Sequence, residues 1–157
     1  MPNPVKPVPD NFHSITANLV CHNVAQAIDF YKKAFGATET VRVPGPGGKI
    51  IHAELKIGDS TFFVGEPMTK TMSAPEPGAV NLMSIYLYVE DVDGVFNRAV
   101  AAGARADMAL QDMFWGDRSG RITDPFGHQW GIATHKEDVT PEEMKGRQEA
   151  FFARAAG

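Results

Sequence analysis

Cysteine is nearly absent from this chain. Cys21 is the single thiol among 157 residues, which excludes an internal disulfide and any Cys-rich zinc site. It closes an apolar stretch, where a buried, inert thiol is expected. Positive charge is also in deficit: 15 Lys and Arg stand against 19 Asp and Glu, for a formal charge of -4. The basic residues are scattered, so nothing favours a phosphate backbone or an anionic membrane as partner. No apolar run reaches the roughly 18 to 20 residues of a membrane span, and the N-terminal residues MPNPVKPVPDNF lack the pattern of a secretory leader. A cytoplasmic protein is expected, with neither nucleic acid nor membrane as partner.

What the chain does contain is a weak internal repeat. SITANLVCHNVAQAIDFYKKAFGA reads as an alternating strand, a polar break and an amphipathic helix closed by Gly36, and MSIYLYVEDVDGVFNRAVAAGA repeats the pattern to Gly103. Aligning Asn23 with Asp91 sets Leu19 on Leu87 and Ile15 on Met83. About three short strands follow each helix. In the first half they are ETVRV, KIIHAELKI and STFFVGE; in the second, ADMAL, RIT and HQWGIAT, with QDMFWGDRSG as a connection. A type I turn at Asp124-Pro125-Phe126-Gly127 joins the last two. The fold class expected is α+β, two βαβββ modules at about 12–67 and 81–138 in one domain of 12–138. Neither half is large enough to be stable alone. A helical tail follows at 139–157, with Thr140 as N-cap, Pro141 at the first helical position and Glu143 completing a capping box.

The paired modules, the AIDFYKKAFGA helix and the DPFGHQW turn resemble the vicinal oxygen chelate superfamily. That group includes glyoxalase I, extradiol dioxygenases and the fosfomycin and bleomycin resistance proteins. The segment WGDRSGRITDPFGHQWGIATH is most similar to its PhnB-like branch. The resemblance implies a curled mixed sheet around a cleft, with metal-dependent members placing one ligand on the first and last strand of each module. By strand alternation, Ile15, Ala17, Leu19 and Cys21, and likewise Met83, Ile85, Leu87 and Val89, should face the helices. The four ligand positions then fall on Thr16, Phe62, Ser84 and Gly131. Phe and Gly offer no donor, and neutral hydroxyls are poor ligands beside imidazole or carboxylate. No metal or other cofactor is therefore expected at the usual site.

Other residues are candidates for chemistry. In IIHAELKI, the apolar row Ile51, Ala53, Leu55 and Ile57 leaves His52 and Glu54 together on the opposite face, as a catalytic base pair or two ligands of a relocated metal; a solvated polar row is the plainer alternative. Asn18, Tyr86, Tyr88, Trp115, Arg118 and Arg121 are the candidate ligand-binding residues. Arg118 could offer a bidentate fork to a carboxylate or phosphonate. The module alignment sets Arg121 on His52 and Thr123 on Glu54. Asp117 is expected to hold the loop. His128 and His135 lie too far apart on one strand to share a metal, at about 3.3 Å per residue, and are expected as surface or turn histidines; His13 and His22 have no evident partner. Three functions follow: a small-molecule-binding protein working without a metal; a lyase or isomerase on an oxygen-rich substrate with His52 or Glu54 as base; or a structural or regulatory partner. A homodimer is expected, because the fold resembles families that pair across a two-fold axis and the tail is apolar.

Overall fold

The structure, a computed structural model, describes residues 4–79 and 81–157. Strand β1 (Asn18–Val20), helix α1 (Val24–Phe35) and strands β2 (Thr38–Pro44), β3 (Ile50–Ile57) and β4 (Ser60–Gly65) form the first module. Strand β5 (Ser84–Tyr88), helix α2 (Val92–Ala101) and strands β6 (Arg105–Asp112), β7 (Asp117–Thr123) and β8 (Gln129–His135) form the second, followed by helix α3 (Pro141–Ala155). The strands make two four-stranded mixed sheets with the same order, β1-β4-β3-β2 and β5-β8-β7-β6. In each, the first strand runs parallel to the last, and the other pairs are antiparallel. The α+β class and the repeated module are both present. Two compact units result, one comprising the chain up to Asn81 with Pro125–His128, the other Leu82–Asp124 with the remainder. No helix of the described residues is long and apolar enough to cross a membrane.

In the first unit, Val24, Ala27, Ile28, Tyr31 and Ala34 recur at the helical period and are fully buried. They meet Leu19, Cys21, Ala53, Leu55 and Val64, buried residues of one sheet face or its edge. Gly36 ends the helix at φ 68, where its lack of a Cβ permits the left-handed conformation, and its N–H donates to the Lys32 carbonyl at 3.1 Å. The turn residue Phe126 adds a ring against Phe30 and Tyr31. His128 is buried rather than superficial, 2.9 Å from the Val20 carbonyl and 3.2 Å from the Asn81 side chain.

In the second unit, Val92, Val95, Phe96 and Ala99 of α2 are buried with Ile122, Trp130 and Ile132 of the sheet. Asp91 caps α2 by accepting from the Gly94 N–H at 3.1 Å. The aligned Asn23 instead sits in a left-handed conformation and makes no side-chain cap. Trp130 donates its indole N–H to Asp124 at 2.9 Å, so the largest buried side chain leaves no polar atom unpaired. Helix α3 begins as expected: Thr140 accepts from the Glu143 N–H at 3.2 Å, with Pro141 in the first turn. No α3 side chain is fully buried; Phe151 and Phe152 pack on Phe114, and Arg147 pairs with Glu137.

Four expectations about facing and boundaries are corrected. Phe62 does not lie on the face opposite the helix: it is buried edge-on against Tyr31 of α1, and Phe63 takes the other face. Its β4 register is one residue away from the expected one, a slip that exchanges the faces of a strand. Ile15 and Met83 were placed in the helix-facing rows but precede β1 and β5 and are 90% and 79% exposed. A pairing irregularity between Val43 and Pro44 skips Ile51, so that Ile50 is buried in its place. Finally, β7 begins at Asp117, so DRSG is strand rather than connection; Met113 to Gly116 form the turn, closed by the Met113 N–H on the Asp117 carbonyl at 2.7 Å.

Candidate functional site

On the helix-free face of the first sheet, register aligns Asn18, Phe63, Glu54 and Val41 in one row across all four strands. His52 lies two residues along β3 from Glu54, and alternation puts both on this face. His52 Nε2 and Glu54 Oε1 are 3.2 Å apart, and the imidazole packs edge-on against Phe63 at 4.8 Å. The expected His52 and Glu54 pairing is a real contact, half-buried at one aromatic ring.

The corresponding row of the second sheet is Tyr86, Gly131, Arg121 and Met108. Structural register therefore matches Arg121 to Glu54, and not to His52 as the sequence alignment had it; this displacement of two residues along β3 keeps the face. Gly131 matches Phe63. An added Cβ at Gly131 would lie 2.7 Å from Tyr86 Cδ2, and its three nearest heavy atoms all belong to that tyrosine side chain. The glycine lets the Tyr86 ring lie over β8.

Beside this row stands a buried carboxylate that four side chains reach. Asp117 is 2% exposed. Its Oδ2 accepts from the Tyr86 hydroxyl at 3.0 Å, the Tyr88 hydroxyl at 3.0 Å and the Trp115 indole N–H at 2.9 Å. Its Oδ1 lies 2.8 Å from His135 Nδ1. Burial alone would push this carboxyl up, but hydrogen bonds from His135, Tyr86, Tyr88 and Trp115 outweigh it and hold the group below the usual carboxylate range. His135 Nε2 also meets Asp138 at 2.8 Å. The hydrogen bonds to Asp138 and then Asp117 raise its pKa. Burial and the Asp117 carboxylate raise the Tyr86 phenol, and the Asp117 hydrogen bond raises Tyr88, so both hydroxyls act as donors. The Tyr86 and Tyr88 rings stand 5.2 Å apart, 45% and 60% exposed.

Because β7 starts at Asp117, alternation turns Arg118 to the opposite face. There its guanidinium grips Asp93 of α2 through two bonds, of 3.0 and 2.9 Å, and reaches Asp112 at 3.4 Å. A groove of about 590 Å³ opens beside it, walled by Asp93, Asp112, Lys136 and Glu137. An anion would have to displace two carboxylates from Arg118 to use it. Arg118 thus stands apart from the Tyr86, Tyr88, Trp115 and Arg121 grouping, and Asn18 belongs to the first unit's row. Sequence reasoning gave Asp117 a loop-holding role and made His135 a surface histidine; the structure makes them the hub of a hydrogen-bonded cluster in the second unit. The period-2 pattern of DRSGRIT could have revealed this, since it sets Asp117, Ser119 and Arg121 on one face.

A divalent cation of the kind that the resemblance implies needs imidazole or carboxylate donors. The rows beside β1 and β5 offer Thr16, Asn18 and Phe63 in the first unit and Ser84, Tyr86 and Gly131 in the second, and neither row has the donors that the ion needs. Among the described residues, no group of three or more His, Cys, Asp or Glu could hold a metal.

Comparison with known proteins agrees with the duplicated fold. The profile of the Glyoxalase/Bleomycin resistance protein/Dioxygenase superfamily matches residues 12–132. The chain belongs to this superfamily. It is 42% identical over 141 residues to Uncharacterized protein Rv0887c of Mycobacterium tuberculosis, covering 84% of this chain and 80% of that protein. Among solved structures, TioX from Micromonospora sp. ML1 matches with a TM-score of 0.64 and 29% identity, over 78% of this chain and 98% of TioX. The PhnB protein from Bacillus cereus shares the fold at a TM-score of 0.61 and 19% identity, over 78% of this chain and 99% of that one. Helix α3 lies beyond the matched profile.

Proposed function

We propose that this chain is a small-molecule-binding member of the superfamily that works without the divalent cation, and that its ligand surface is the Tyr86, Tyr88 and Trp115 wall. The observation that carries this reading is the buried Asp117, on which three aromatic side chains converge. Anchoring them removes side-chain freedom before any ligand arrives, which lowers the entropic cost of binding. Two exposed tyrosine rings held this way form a preorganised apolar surface with polar groups beneath it. The neutral aromatic 2-naphthylmethanol should give saturable binding by calorimetry, weakened about tenfold or more by Tyr88→Leu. Metal analysis of the purified protein should find no stoichiometric cation. Binding that Tyr88→Leu leaves untouched would remove the wall from the reading, and about one tightly held cation per chain would remove the metal-free part.

The His52 and Glu54 contact supports a second reading, in which the chain is a lyase or isomerase with this pair as general base. Exchange of the α-proton of a hydroxyketone in deuterated water, followed by NMR, would then be lost in both His52→Ala and Glu54→Gln. Exchange equal to buffer in the unaltered protein would count against it. A cytoplasmic location accompanies the first reading, as does a homodimer, the latter supported by the exposed Leu82, Met83 and Phe152. Deleting residues 140–157 should shift the protein toward monomer or aggregate in size-exclusion chromatography; an unchanged profile would argue against the tail's part in assembly.

A further inference from the structure

What the second unit's wall presents is ring surface rather than hydroxyl. Both phenols already donate to Asp117 Oδ2, so neither is free to choose a ligand by donating to it without breaking a hydrogen bond. Apolar selection on this wall therefore comes from flat contact with the rings, whose faces favour other planar π systems.

The polar selection comes from the same row. Arg121 pairs across Gly131 with Tyr86, so only a glycine separates the aromatic from the cation. At the strand spacing of about 4.8 Å, the two backbones stand roughly 10 Å apart; the Tyr86 ring over Gly131 takes up part of that span, so a ring stacked on it needs only one substituent to reach the cation. Arg121 is exposed, and among the described residues its guanidinium has no hydrogen bond or ion pair within 4.0 Å. Asp107, an acid that Arg121 influences, is already engaged by Arg105 at 2.7 Å and Thr123 at 2.5 Å. The Asp117 carboxylate lies against the same rings, 2.8 Å from His135, so the anionic group of a ligand belongs at the Arg121 end of the row.

We infer that this wall takes a planar aromatic anion, with its ring on Tyr86 and Tyr88 and its carboxylate, sulfonate or similar group on the Arg121 guanidinium. The inference rests on the wall being the ligand surface and adds the chemical class of the ligand. Gly131 matters to it in two ways: it gives the Tyr86 ring its place and leaves the middle of the row without a side chain.

Calorimetric titration with 2-naphthoate, 2-naphthylmethanol and cyclohexanecarboxylate tests this. The naphthoate should bind about tenfold or more tighter than either comparison compound, the usual scale of one charge-assisted contact. Arg121→Gln should abolish its margin over the alcohol; Arg121 is exposed, and an unchanged melting profile checks the fold. If the alcohol binds as tightly as the naphthoate, or the margin survives Arg121→Gln, the anionic assignment is overturned while the ligand surface stands. If cyclohexanecarboxylate binds as tightly, the planar requirement is overturned. If none of the three binds, the inference fails together with the reading of the wall.

Discussion

The two helix-free sheet faces descend from one repeated pattern and occupy matching positions, yet they are built in opposite ways. The first row runs Asn18, Phe63, Glu54, Val41; the second runs Tyr86, Gly131, Arg121, Met108. Where one has a small amide, a bulky ring and an acid, the other has a ring, a gap and a base. The first face makes a short polar contact, His52 with Glu54, supported by a phenyl ring. The second organises four side chains around a single buried carboxylate. A repeated backbone thus sets where side chains point, and the residues at matching positions decide which face becomes a preorganised surface.

The largest expected difference between the faces lies in what their acids hold. Asp117→Ala would leave four donors without their acceptor, and should cost about 3 kcal/mol in urea denaturation. A loss below about 1 kcal/mol would show that the donors find water and that the hub is not preorganised. The pH dependence sharpens the contrast. His135 is raised above its usual 6.5, so its contribution to stability is complete below 6.5 and lost as pH rises through the raised value. Asp117 is lowered below its usual 3.8, so its contribution is complete above 3.8 and lost as pH falls through the lowered value. Both are fully present between about 3.8 and 6.5. Melting temperature should decline above that window, and His135→Gln should flatten the decline; an unaltered slope would assign it to other groups. The smallest effect belongs to the first face. Glu54→Gln should change stability by less than about 1 kcal/mol, because both partners of the His52 pair are partly solvated. A cost matching that of Asp117→Ala would erase the distinction.

By itself, the sequence determined the architecture. Alternating strands and an i, i+3, i+4 helix pattern, repeated once, are local periodicities that burial must satisfy, and they specify two βαβββ modules. Caps such as Thr140 and the stop at Gly36 are equally local. The same logic showed that His52 and Glu54 share a face, since only alternation within one strand was needed. Tertiary structure alone decided the pairing between strands. Whether Phe62 or Phe63 faces away from the helix depends on the partner residues to which β4 bonds, and both choices are phenylalanine, so the pattern was blind to the slip. The convergence of Tyr86, Tyr88, Trp115 and His135 on Asp117 likewise joins residues up to 31 positions apart. Hydrogen bonds of that range are selected by packing in three dimensions, and a linear pattern carries no record of them.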